Sequence, residues 1–164
     1  MKKYLGTTAR NWLLSFHILF VSIWMGAALF TILIRLDNNA MQSDEALTTL
    51  HILSNKSDLL IIPSGLGVLI TSLMIAIMTK WGFFKFRWMT AVWIIFFVNI
   101  IMGAAVLSPL KKNILAIAEM EGLSALHNAT YIRNHALLTI GGIFQVILLA
   151  MATIFVRLKP WGRQ

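Results

Sequence analysis

Four stretches of this chain run for about twenty residues or more with almost no charge, and that pattern limits what the chain can become. They cover about residues 11–34, 59–79, 88–110 and 136–156. Each reaches the roughly 20 apolar residues an α-helix needs to cross a hydrocarbon core about 30 Å thick. In lipid a backbone must satisfy its own polar groups, which a helix does. With 59% hydrophobic and 12% charged residues in 164, the chain carries more apolar surface than a water-soluble fold of that size hides. The expected fold is all-α, a polytopic antiparallel bundle of four transmembrane helices with short amphipathic helices in its outer connections. Residues 1–164 form one domain, because no connection is rich in Pro, Gly or Ser in the manner of a linker.

There is no cysteine, which excludes disulfides, thiolate metal sites and iron–sulfur clusters. The first apolar run is too long for a signal-peptide core, so it is expected to be retained. The formal charge of +8 reads as topology rather than nucleic-acid binding. With both termini cytoplasmic, Lys2, Lys3, Arg10, Lys80, Lys85, Arg87, Arg157, Lys159 and Arg163 lie inside, as the positive-inside rule requires. The acidic residues Asp37, Asp44, Glu45, Asp58, Glu119 and Glu121 all fall outside. Trp12, Trp81, Trp88 and Trp161 mark the inner ends of the four runs as an interfacial belt.

Two outer segments read as amphipathic helices. Ser43 can cap one, with Asp44 and Glu45 in its first turn and Ala46, Leu50 and Leu53 on its apolar face. The other runs from about Leu110 to Arg133 and breaks at Gly122. Small residues mark where helices approach closely in lipid: Ser15, Ser22 and Gly26, then Ser64, Gly65, Gly67 and Thr71, then Gly103, then Gly141 and Gly142. Most glycines fall in the outer half, while Phe16, Phe20, Met74, Met78, Met89, Trp93, Met151 and Phe155 fall in the inner half. This predicts a bundle narrow outside and wider toward the cytoplasm. Asn99 and Gln145 lie near the midplane, where an unpaired amide is costly, so they should bond to each other or to backbone.

The histidines carry the candidate chemistry. His17 stands on the inner side, and His51, His127 and His135 stand on the outer side, so the hydrocarbon core separates His17 from any second histidine of the chain. Its face of the helix includes Val21, Trp24, Ala28 and Thr31, opposite Ser22 and Gly26. His127, Tyr131 and His135 follow i, i+4, i+8 and would share a face on a continuous helix, so a zinc or copper site through His127 and His135 is chemically open. Ordinary wet polar groups are the competing reading.

His17, Trp24 and Gly26 form the pattern H-x6-W-x-G. It resembles the first helix of CopD-like copper-resistance membrane proteins, and its H-x6-W part is similar to HemJ-type protoporphyrinogen oxidases. The stretches IIPSGLGVLITSL, TKWGFFKFRWMTAVW, GAAVLSP and RLKPW resemble a family of bacterial four-span membrane proteins that carries no assigned activity. The HemJ-type resemblance implies a haem ligand at His17, with a lysine near the start of a later helix; this chain has Arg87 and Trp88 there. Together these imply a small haem- or copper-binding redox or accessory protein of the bacterial cytoplasmic membrane. In that reading His17 ligates haem b or copper, Trp24 packs beside it, Arg87 pairs with a propionate, and Met78 or Met89 supplies a second ligand. The alternative is a non-catalytic membrane subunit or small-molecule permease in which His17 only hydrogen-bonds a neighbouring helix. Whether the protein is an enzyme stays open. The bilayer is the expected partner, along with a second copy through the Ser22/Gly26 face.

Overall fold

The computed structural model describes residues 4–36, 42–79 and 81–160, with α1 (Thr7–Leu36), α2 (Asp44–Lys56), α3 (Asp58–Met78), α4 (Arg87–Ile101), α5 (Ser108–Glu121) and α6 (Ala129–Leu158). Lys2, Lys3, Asp37, Lys80, Trp161 and Arg163, which entered the orientation and the aromatic belt, lie outside the described residues. Four helical stretches are long and apolar enough to cross a membrane: Thr7–Leu36, Asp44–Met78, Arg87–His127 and Ala129–Leu158. By length and composition the chain is a multi-pass membrane protein, and its fold is the all-α four-helix bundle expected.

Local chemistry sets the helix ends. Ser43 Oγ accepts from the Ala46 N–H at 3.1 Å, and the carboxylates of Asp44 and Glu45 follow in the first turn of α2, where the helix dipole favours them. Asn128 caps α6 by accepting from the N–H groups of Thr130 and Tyr131 at 2.9 and 3.2 Å. Between α5 and α6 the chain passes Gly122 at φ 54° and a 3-10 segment, Gly122–His127. A Cβ at Gly122 would lie 2.5 Å from Asp44 Oδ1, the same oxygen that accepts from the Leu123 N–H at 2.6 Å. That contact ties the start of α2 to the end of α5.

Between α4 and α5 the helix widens into a π segment, Met102–Leu107. Pro109, at the start of α5, has no N–H to continue the α ladder, and the Ser108 N–H bonds back to the Gly103 carbonyl instead. Just before the widening, Gln145 Nε2 of α6 donates to the Asn99 carbonyl at 2.8 Å. The midplane amides therefore meet as expected, side chain to backbone.

Packing runs in the order α3, α1, α6, α4, with α2 and α5 crossing the end away from the termini. α3 supplies the close approach: Ser64, Gly65, Gly67 and Thr71 are buried, and Gly67 sits against the Phe20 ring of α1. On α1 the small residues lie on the other side. Ser22 and Gly26 face out, and Gly26 has open space around it; the buried stripe is instead Trp24, Ala27, Thr31 and Arg35. The predicted widening fails. Toward the termini the bundle is filled by Trp24, Trp88, Met89, Trp93 and Phe96 with Phe20, Trp81 and Phe83 packed around them, whereas Phe16, Met74 and Met151 face outward. Trp88 belongs to that core rather than to the belt, and the Lys159 ammonium lies 5.0 Å from the Trp81 ring centroid and 5.9 Å from that of Trp88.

Candidate functional site

The open space lies in the other half of the bundle. A cavity of about 490 Å³ is bounded by α1, α3, α4, the π segment, α5 and α6. Its walls are mostly apolar, with Trp24, Ile61, Leu69 and Phe96 among them. Gly65 leaves room on the α3 side; a Cβ there would meet only Ile100 Cδ1 of α4, at 3.8 Å. The flanking Ile62, Leu66 and Phe97 are more than half exposed, so the cavity sits behind the surface between α3 and α4 that would face lipid. The π segment contributes Gly103, Ala104 and Leu107 to the wall, in keeping with the tendency of π bulges to shape functional sites.

One end of the cavity is charged. Arg35, in the last turn of α1, is 3% exposed. Its Nη1 donates to the Leu138 carbonyl at 3.3 Å and its Nη2 to Ser54 Oγ at 3.2 Å. Beside it, Lys111 Nζ contacts Asp58 Oδ1 at 2.5 Å and the Ser54 carbonyl at 3.3 Å. Thr31 Oγ1 stands 3.0 Å from Ser57 Oγ, closing a polar shelf where α2 passes into α3. Among the described residues two wall atoms are buried without a hydrogen-bond partner, the donor Arg35 Nε and the acceptor Asn99 Oδ1. Neither is a feature that hydropathy reveals. A lone arginine at the end of an apolar run reads as an interfacial anchor until its neighbours are known.

His17 is placed elsewhere. Its Nδ1 is 2.8 Å from Thr71 Oγ1, and that hydroxyl donates to the Gly67 carbonyl at 2.6 Å, so it accepts from an Nδ1–H and leaves Nε2 as the basic nitrogen. An imidazole held this way has the orientation a metal ligand needs. The rest of the set does not gather around it. Met89 is packed within the aromatic core, Arg87 is exposed at the start of α4, and Met78 lies two turns beyond Thr71. Among the described residues no polar or ring contact joins His17 to Met78, Met89 or Arg87. Trp24 faces the Phe96 ring edge-on at 5.9 Å and lines the cavity. Trp24 and Met89 share the aromatic core, and no polar or ring contact among the described residues ties them to His17, Met78 or Arg87.

The histidines at the other end regroup as well. His127 closes the 3-10 segment and is exposed. The cap at Asn128 starts a new helix after it, so the continuous face shared with Tyr131 and His135 does not form. His51, 1% exposed, takes its place: its Nε2 lies 2.8 Å from the Tyr131 hydroxyl, and the His135 ring stacks on Tyr131 at 5.9 Å and 15°. Among the described residues no three His, Cys, Asp or Glu side chains come together to hold a metal ion. The metal pair His127 and His135 is corrected to a packed His51–Tyr131–His135 group.

Fold and cavity together define a helical multi-pass membrane bundle with a largely apolar cavity, open between α3 and α4, that ends in buried charge. No protein-family model, curated protein or solved structure matches the chain.

Proposed function

We propose that this protein is a non-catalytic membrane subunit or permease that admits a small, largely apolar molecule from the bilayer into the cavity between α3 and α4. The observation that carries this reading is the cavity itself. At about 490 Å³ it falls within the range of pockets that enclose small organic ligands, and its few polar groups gather at one end. His17 serves this reading as a structural residue, holding α1 to α3 through Thr71.

The orientation that suits the basic residues puts both termini on the cytoplasmic side of a bacterial cytoplasmic membrane, with α2 and α5 outside. The exposed Ser22/Gly26 face is then free to meet a second copy of the chain through small-residue packing. The cofactor reading keeps one supporting observation, the basic Nε2 that the His17–Thr71 bond leaves. A Soret band or stoichiometric copper in detergent-purified protein would replace the present proposal with that one.

A neutral twelve-carbon alcohol tests the cavity. Binding to the wild type is expected to saturate at one site per chain. Gly65→Leu, whose Cβ meets only Ile100 Cδ1, should fill the space and weaken binding roughly tenfold or more, the order expected from losing about 1.4 kcal/mol of apolar burial. Undetectable binding by the wild type, or unchanged binding by Gly65→Leu, would remove the proposal.

A further inference from the structure

We propose that the cavity takes a single-chain amphiphile whose head is a carboxylate, seated against Arg35, with the chain running inward toward Trp24 and Phe96. This rests on the cavity reading above and adds the chemistry of the head.

Among the described residues the charges at the end of the cavity do not balance. Arg35 and Lys111 are both buried, and the one carboxylate on the wall, Asp58, is engaged by Lys111. Among the described residues Arg35 is held by a backbone carbonyl and a serine hydroxyl, both neutral, its Nε–H has no acceptor, and the Asp58 charge reaches it only through space. A guanidinium out of water with no anion in contact is costly, and a bound anion relieves that cost. A carboxylate suits this group, because its single negative charge matches the one unbalanced cation and a planar guanidinium edge and a carboxylate form charge-assisted bonds of matching geometry. A neutral headgroup leaves the charge uncompensated. The other unpaired wall atom, Asn99 Oδ1, is an acceptor and offers an anion nothing, which places the head at Arg35 rather than in mid-cavity.

Dimensions fix the tail. From Trp24 to Arg35 along α1 is roughly 16 Å at the helical rise, the reach of an extended chain of roughly twelve carbons at ordinary bond lengths. Arg35 closes α1 near the water-facing end and Trp24 lies deep within it. A head at Arg35 and a tail at Trp24 therefore match the way an amphiphile stands in a leaflet. The surface between α3 and α4 lets it enter sideways, without its head crossing the hydrocarbon.

The test compares twelve-carbon ligands in nonionic detergent at neutral pH: the carboxylate, its methyl ester and the alcohol. The carboxylate should bind the wild type roughly tenfold tighter than either neutral ligand, the order expected of one hydrogen bond to a charged group. Arg35→Lys should keep a preference, and Arg35→Gln should lose it while still binding the alcohol. Inorganic phosphate should not compete. If the alcohol binds as tightly as the carboxylate, the head assignment falls and the cavity reading stands; if none of the three binds, both fall. Displacement of the carboxylate by phosphatidylglycerol at lower concentration would overturn the assignment in favour of a phosphate head. Should Arg35→Gln fail to fold, the wild-type ratio decides by itself.

Discussion

Gly67→Ala and Gly26→Ala place the same methyl group on two helices, and the structure assigns them opposite signs. At Gly67 an added Cβ would lie 2.5 Å from Phe20 Cγ and 2.6 Å from Cε1, nearer still to Cδ1. Ordinary contact begins at 3.4 Å, so the ring must retreat by roughly 1 Å within a well-packed seam. Overpacking of that kind costs about 1–3 kcal/mol. Replacing glycine in a helix returns about 0.5–1 kcal/mol. A ring displacement that large puts the cost in the upper half of that range, so the net expectation for Gly67→Ala is a loss of about 1–2 kcal/mol, a fall of roughly five- to thirty-fold in the folding constant. At Gly26 nothing lies within 4 Å, so only the helix-propensity gain remains. The assay is reversible unfolding in mixed detergent micelles, followed by circular dichroism, at dilutions where the protein is monomeric. A neutral or stabilising Gly67→Ala, or a Gly26→Ala that costs as much, would refute the α1–α3 seam described here.

Three further outcomes test other contacts. A double-mutant cycle with His17→Ala and Thr71→Ala should give a coupling of about 0.6 kcal/mol, and no more than about 1.7, the span measured for hydrogen bonds between membrane helices; zero coupling would mean that His17 does not hold α3. Asp58→Asn should destabilise the fold by about 1–3 kcal/mol, because it strands the Lys111 ammonium beside Arg35. Lys111→Met should cost less, since it removes that charge and leaves a carboxylate that water can reach; the reverse order in denaturation would contradict the pairing. Gly26→Leu should dissociate a homo-oligomer formed through the Ser22/Gly26 face, and an unchanged mass by light scattering would rule that face out.

The spans and their ends were legible because length, charge and capping are local properties. Ser43, Gly122 and the small residues of α3 all act where the sequence places them. The inward face of each helix was not legible. In a bilayer both faces of a helix are apolar, so periodicity does not separate lipid from protein, and the small residues Ser22 and Gly26 did not decide which side of α1 packs inward. The site was partly legible. Trp24 and the Asn99–Gln145 contact were singled out, but Arg35 and Lys111 carry no local signal and Asp58 counts by itself only as an outer charge, since only the folding of α2 and α5 over the bundle end buries Arg35 and Lys111. His127 misled because its helical spacing to Tyr131 assumed a helix that Asn128 restarts.

Because the chain contains no cysteine, a single introduced thiol reports on one place. Gly65→Cys puts it on the cavity wall, and Ile147→Cys puts it on an exposed face of α6. The most direct measurement is the rate at which a membrane-permeant maleimide modifies each variant with and without a saturating twelve-carbon amphiphile. The ligand is expected to slow modification at position 65 by roughly tenfold, as site occupancy near 90% would, and to leave position 147 unchanged. Equal rates at position 65 with and without ligand would contradict the cavity reading.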